Sequence, residues 1–130
     1  MANDAPKRVL VIDDANLVRM YYRAALEKAG FQVDEALNGL EAIERLLESS
    51  FDLLIVDVNM PQMDGVTFLR TVRAKEAPVS ATPALAISTE AEPQRIAATM
   101  AAGANLYLVK PVSEQALVQY ASLLCGVAHG

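Results

Sequence analysis

A few side chains able to do chemistry stand at the ends of apolar runs in this 130-residue chain. "RVLVIDD" ends in Asp13 and Asp14, "FDLLIVD" in Asp57, "ALAIST" in Ser88 and Thr89, and "LYLVK" in Lys110. Burying a carboxylate is costly, so a strand that carries one to its tip usually has a use for it. Two carboxylates held 4 Å apart repel by about 4 kcal/mol at an effective dielectric near 20. Left alone, such a cluster raises one pKa and takes up a proton. A divalent cation removes the conflict, and an all-oxygen site that can keep water suits magnesium rather than zinc. A lysine adds a second positive charge and a small hydroxyl adds a donor. The set describes a receptor for a phosphoryl group, with its oxygens neutralised and one carboxylate free to attack phosphorus. Asp57 is the central candidate for that nucleophile, provided its strand lies between the acidic pair and the hydroxyl strand. Singly, each residue is commonplace: an Asp cap, a Ser or Thr in a turn, a solvated Lys. The ordered set is what carries weight.

The elements that must position these groups alternate along the chain. Residues 8–13 read as a buried strand. In the helix that follows, Leu17, Met20, Tyr21, Ala24 and Leu26 fall near a helical period, and Gly30 is the stop. "FQVDEA" (31–36) alternates as an edge strand should. Asn38 reads as an N-cap, with Glu41 three residues on, for a helix to about Ser50. "FDLLIVD" (51–57) is apolar on both faces, which suits a central parallel strand. Asp64 is placed to cap "GVTFLRTVRAKEA", and "ATPALAIS" is a fourth strand. Pro93 lies in the first turn of an Ala-rich helix, "NLYLVK" is a fifth strand, and Ser113 caps a last helix to about Cys125. This alternation predicts a doubly wound five-stranded parallel sheet with helices on both faces and every strand's C-terminal end on one edge. Ligands of such sheets bind outside those ends, where strand order reverses. Residues 7–126 form one domain, between an N-terminal arm (1–6) expected to be disordered and a flexible tail (127–130).

Net charge is −5, which argues against a nucleic-acid or anionic-membrane binder. Neither a secretory segment nor a membrane-length apolar run is present, so a cytoplasmic protein is expected. The lone Cys125 reads as a small helix-face residue, and the single His129 as part of the terminal tail rather than a ligand.

The marks "VIDDA", "DLLIVDVNMPQMDG", "AIST" and "LVKP", in this order, make the chain resemble the receiver domains of two-component response regulators. The likeness is greatest to the stand-alone chemotaxis CheY type, whose fold is flavodoxin-like with strand order 2-1-3-4-5. It covers about residues 7 to 125. It implies that Asp57 accepts a phosphoryl group from a histidine kinase or a small acyl phosphate. It also implies a Mg²⁺ site in which Asp14 is a direct ligand, Asp57 is a further ligand, Asp13 acts through bound water, and the Asn59 carbonyl completes the metal's protein ligands. By the same likeness Ser88 is the switch hydroxyl, Lys110 pairs with the phosphoryl group, and Pro111 follows a bond that is often cis. Tyr107 is the switch aromatic that remodels the surface of helix four, strand five and helix five. Pro61 and Gly65 shape the acceptor loop, with Gly65 supplying backbone freedom. Asn59 and Glu90 tune dephosphorylation and match the type with a short-lived phosphoryl group. Thr89 departs from the Ala or Gly usual there, and is a second hydroxyl beside Ser88.

The implied partners are a histidine kinase, an effector such as a flagellar motor switch protein, and a phosphatase. A monomer is expected, with no output domain after the last helix and with helix four, poor in charge, open to apolar contact. A phosphate sink or phosphorelay intermediate is the alternative. A Mg²⁺-dependent aspartyl-phosphate phosphatase is disfavoured because "DVN" offers Asn59 where such enzymes place a second carboxylate. A flavodoxin-like cofactor binder is disfavoured because "DDANL" stands where a phosphate loop would be, and its acidic pair repels a flavin phosphate.

Overall fold

In a computed structural model, described for residues 5–127, five strands and five helices alternate along the chain. His129, most of the expected arm and nearly all of the expected tail lie outside the described residues. The elements are β1 (Arg8–Ile12), α1 (Asn16–Lys28), β2 (Gln32–Ala36), α2 (Gly39–Glu48), β3 (Leu53–Asp57), α3 (Gly65–Arg73), β4 (Ala84–Ser88), α4 (Pro93–Ala102), β5 (Leu106–Val109) and α5 (Glu114–Cys125). A short 3-10 turn at Val79–Ala81 precedes β4. All strand pairs are parallel, in the order β2-β1-β3-β4-β5. The expected doubly wound, flavodoxin-like sheet is therefore the one found.

The two-residue period of a strand divides the core into two layers. Val9, Val11, Leu53, Ile55, Leu85 and Ile87 pack against α1 and α5. Leu10, Ile12, Leu54, Val56, Ala84 and Ala86 pack against α2, α3 and α4. Carried on to the strand tips, the same alternation puts Asp13 and Asp57 in phase with Val11 and Ile55. It puts Lys110 in phase with Leu108, which also packs on the α1–α5 side. Ser88 is instead in phase with Ala86, and Tyr107 packs on the α2–α4 side.

Helix starts follow the caps read from the sequence. Asn38 Oδ1 accepts from Glu41 N–H at 2.9 Å, while Glu41 reaches back to Leu37 N–H at 2.7 Å. Asp64 accepts from Thr67 N–H and Ser113 from Ala116 N–H. Helix α1 differs from its apolar pattern. Leu17 is 77% exposed, and Met20 and Tyr21 are also exposed, whereas Tyr22, Ala25 and Leu26 face the core together with Arg19. The packed stripe is thus shifted round the helix, because an arginine takes a core position that a hydropathy count assigns to the surface.

Candidate functional site

The reversal of strand order falls between β1 and β3, the two strands whose tips carry the acids. Asp13 and Asp14 follow β1, Asp57 ends β3, and Ser88 ends β4 beside it. Asp57 therefore does lie between the acidic pair and the hydroxyl strand. One carboxylate oxygen from each of Asp13, Asp14 and Asp57 lies within 4.8 Å of the others. Lys110 Nζ stands 3.7 Å from Asp13 Oδ2 and 3.8 Å from Asp57 Oδ1. These separations are ion-pair distances, too long for hydrogen bonds.

Burial, and after it the crowding of like charges, perturbs these carboxylates. Asp57, 6% exposed, has its pKa pushed from 3.8 up to about 6. Burial is the main cause and the Asp13 charge the next. Lys110 and the Asn59 N–H, 3.2 Å from Oδ1, pull the other way. Burial likewise raises Asp13, against the Ala15 N–H that Oδ1 accepts at 2.8 Å and the Lys110 charge. Among the described residues, Asp13 Oδ2 is buried without a hydrogen-bond partner. Buried polar atoms are rarely left so, and a hard cation bound at Oδ2 would satisfy it alongside the Lys110 charge 3.7 Å away. Like charges no more than 4.8 Å apart cost at least about 3 kcal/mol per pair at an effective dielectric near 20. The donor set is hard, anionic and all-oxygen, and it fits a magnesium-sized dication, with exposed Asp14 on the solvent side.

The neighbours form a second group on the other side of β3. Ser88 is fully buried, and its Oγ accepts from Glu90 N–H at 3.0 Å and from Asn59 Nδ2 at 3.4 Å. Tyr107, half-buried, donates its hydroxyl to the Glu90 carbonyl at 2.8 Å. Ser88 and Tyr107 therefore meet at one residue, on its N–H and on its carbonyl. The Glu90 carboxylate is ion-paired with Arg95 of α4. Thr89 is exposed and faces an apolar groove shared with Tyr21, Tyr22 and Lys110. The bond before Pro111 is cis, as the resemblance implies; so is the one before Pro78.

Gly65 requires a correction. Its backbone is not in the left-handed region, so it supplies no special freedom. A Cβ there would lie 2.7 Å from Val58 Cα and 3.0 Å from the Asp57 carbonyl oxygen. The glycine is needed for close approach of α3 to the end of β3, and its N–H donates to the Val58 carbonyl. Pro61 lies in the loop between β3 and α3 and accepts from Met63 N–H.

Arg19 was not among the residues singled out from sequence. It is 6% exposed, and it donates to the Asp13 carbonyl at 2.6 Å, to Glu35 Oε1 at 2.8 Å and to Asn16 Oδ1 at 3.1 Å. Its signal in the sequence was its place between Val18 and Tyr22, inside the packed stripe of α1.

Residues 9–122 match the family described as response regulator receiver domain. The chain is 36% identical over 111 residues to the transcriptional regulatory protein ResD of Bacillus subtilis, covering 85% of this chain and 45% of that protein. It is 34% identical over 121 residues to the sensor protein EvgS of Escherichia coli, covering 93% of this chain and 10% of EvgS. It thus spans less than half the length of either curated relative. Among solved structures, the Vibrio cholerae chemotaxis protein CheY4 superposes with a TM-score of 0.86 at 34% identity, covering 92% of this chain and 99% of that one.

Proposed function

Because the chain belongs to the response regulator receiver domain family, we propose that its Asp57 is the phosphoryl acceptor and Lys110 its cationic partner. Asp13, Asp14, Asp57 and the Asn59 carbonyl would hold a Mg²⁺ ion. The observation that carries this reading is the meeting of three carboxylate oxygens within 4.8 Å, with Lys110 Nζ less than 4 Å from two of the carboxylates. One oxygen of Asp57 attacks phosphorus in line with the donor nitrogen of a phosphohistidine. A P–O bond forms, the P–N bond breaks, and the imidazole departs with the electron pair. Lys110, drawn towards the acidic pair, is placed to bond one equatorial phosphoryl oxygen. When bound, the dication supplies charge neutralisation to the carboxylates and the phosphoryl oxygens. The Asn59 N–H holds Asp57 Oδ1, leaving Oδ2 as the attacking atom.

The product adds charge beside Ser88, whose hydroxyl accepts from Glu90 N–H and Asn59 Nδ2. When Ser88 turns towards the phosphoryl group, the Glu90 N–H is released, and the Tyr107 hydroxyl on the Glu90 carbonyl is disturbed with it. That couples the acceptor to the surface of α4, β5 and α5, where an effector reads the state. The likeness to CheY4 supports a chemotaxis effector such as a flagellar motor switch protein. The likeness to a stretch of the sensor protein EvgS keeps a phosphorelay or phosphate-sink role as the second reading. Asn59 and Glu90, both beside Ser88, are assigned to hydrolysis of the acyl phosphate, which makes the signal transient. Thr89, at the rim of the site, sets access from the groove side. The module is cytoplasmic and works as a monomer; no helix among the described residues is long and apolar enough to cross a membrane.

The test is incubation with acetyl phosphate and Mg²⁺, followed by intact-mass measurement. Wild type gains the mass of one phosphoryl group, and Asp57→Asn does not. Pull-down of an effector by wild type only with beryllofluoride favours the output reading; label passed on to a histidine phosphotransfer protein favours the relay. Failure of wild type to gain the mass removes the proposal.

A further inference from the structure

The acidic pair sits on a loop of only three residues between β1 and α1, and something has to fix its shape. Asp13 does part of this itself, since its Oδ1 holds the Ala15 N–H. The other hold is on the backbone. Arg19 Nη1 donates to the Asp13 carbonyl at 2.6 Å, and Nη2 reaches Asn16 Oδ1 at the first residue of α1. One guanidinium thus spans the loop from end to end. It is buried, so its charge needs a partner, and Glu35 on β2 provides one at Nε. Glu35 is itself held at its other oxygen by Arg23 at 2.7 Å. The chain Arg23–Glu35–Arg19 runs from the surface inward and ends on the carbonyl that joins Asp13 to Asp14.

We propose that Arg19 is a positioning residue for the divalent-cation site, its planar fork fixing the Asp13–Asp14 peptide and hence the direction in which the Asp14 carboxylate leaves the backbone. The proposal rests on the reading of Asp13, Asp14 and Asp57 as cation ligands. Groups that orient metal ligands from behind change affinity by about 10–100-fold when removed. Only arginine fits the geometry, because a lysine ammonium is a point charge without the rigid fork that serves three acceptors at once.

Charge and geometry predict opposite signs here, which makes the test sharp. A guanidinium near a cation site repels the cation, so on charge alone Arg19→Met tightens Mg²⁺ binding and Arg19→Lys leaves it unchanged. If Arg19 positions the loop, both variants weaken binding.

The experiment is isothermal titration of Mg²⁺ alone into metal-free protein, with urea denaturation in parallel to confirm folding. Wild type binds, Arg19→Met and Arg19→Lys bind about tenfold more weakly, and Lys28→Gln, which removes an exposed charge from the far end of α1, binds as wild type does. A folded Arg19→Lys with wild-type affinity overturns the proposal while leaving the cation site intact, as does a folded Arg19→Met that binds as tightly as wild type or more so. Should Arg19→Met not fold, the lysine variant decides alone. A wild type that takes up no Mg²⁺ overturns both this inference and the site reading beneath it.

Discussion

Replacing Asp57 by asparagine stabilises the metal-free protein, although it removes the proposed phosphoryl acceptor. Asp57 is held at a pKa of about 6 against an ordinary 3.8, so keeping it charged at pH 7 withholds about 3 kcal/mol of folding free energy. An acid whose pKa is higher folded than unfolded binds its proton more tightly when folded. The penalty is therefore absent below pH 4, grows as pH rises towards 6, and is complete above it. Asparagine has nearly the same shape, and its Oδ1 still accepts the Asn59 N–H. Lys110 keeps Asp13 as a partner at 3.7 Å. In urea titrations with a chelator at pH 7.5, Asp57→Asn unfolds at higher urea with a gain of roughly 2–3 kcal/mol. The gain shrinks towards pH 4, where the wild-type carboxyl is protonated. Saturating Mg²⁺ raises the wild-type midpoint and narrows the gap. A variant no more stable than wild type at pH 7.5, or a gain that does not change with pH, refutes the electrostatic reasoning.

Gly65→Ala places a methyl group 2.7 Å from Val58 Cα; overpacking of that kind costs about 1–3 kcal/mol, and it lowers the rate of labelling by acetyl phosphate because the strain falls on the acceptor strand. The Glu35 carboxyl is held below its ordinary pKa, chiefly by hydrogen bonding to Arg23 against the cost of burial. Its stabilising contribution is present above the unfolded pKa and is lost as pH falls through the folded one, so Glu35→Gln loses stability near neutrality, and the loss disappears in strong acid on a pH series of urea midpoints. Burial pushes the Cys125 thiol up to about 11, and the thiolate is the reactive form. Iodoacetamide at pH 8 therefore alkylates Cys125 slowly in the native protein and rapidly once urea unfolds it; equal rates in the two states contradict the placement.

The sheet and the convergence of Asp13, Asp14, Asp57 and Lys110 were legible because they rest on features that local sequence controls. Five apolar runs with helix caps at Asn38, Asp64 and Ser113 mark where strands end and helices begin. Once the strands are parallel, their polar tips must converge. The phase of α1 was not legible in the same way. Leu17, Met20 and Tyr21 look like a core stripe, but Arg19 occupies the packed face because its charge is met by Glu35 on another element. No periodicity count contains that partner. Gly65 was recognised for the wrong reason, since a glycine needed for space and one needed for an unusual φ look alike in a sequence. Arg73 went unread for a similar cause. Its guanidinium bonds the carbonyls of Gly103, Ser80 and Thr82, tying the end of α3 to the turns on either side of the β4–α4 unit. Those acceptors are backbone atoms that any residues supply.

The central claim is that carboxylates crowded by the strand tips make one oxygen of Asp57 reactive towards phosphorus when a dication and Lys110 offset their charge. The most direct measurement is borohydride trapping after exposure to acetyl phosphate, with peptide mass spectrometry to locate the reduced side chain, in Mg²⁺ and in chelator. Conversion at position 57 alone, and only with Mg²⁺ present, is the expected result. Conversion at Asp13 or Asp14, at no residue, or equally in chelator would contradict it.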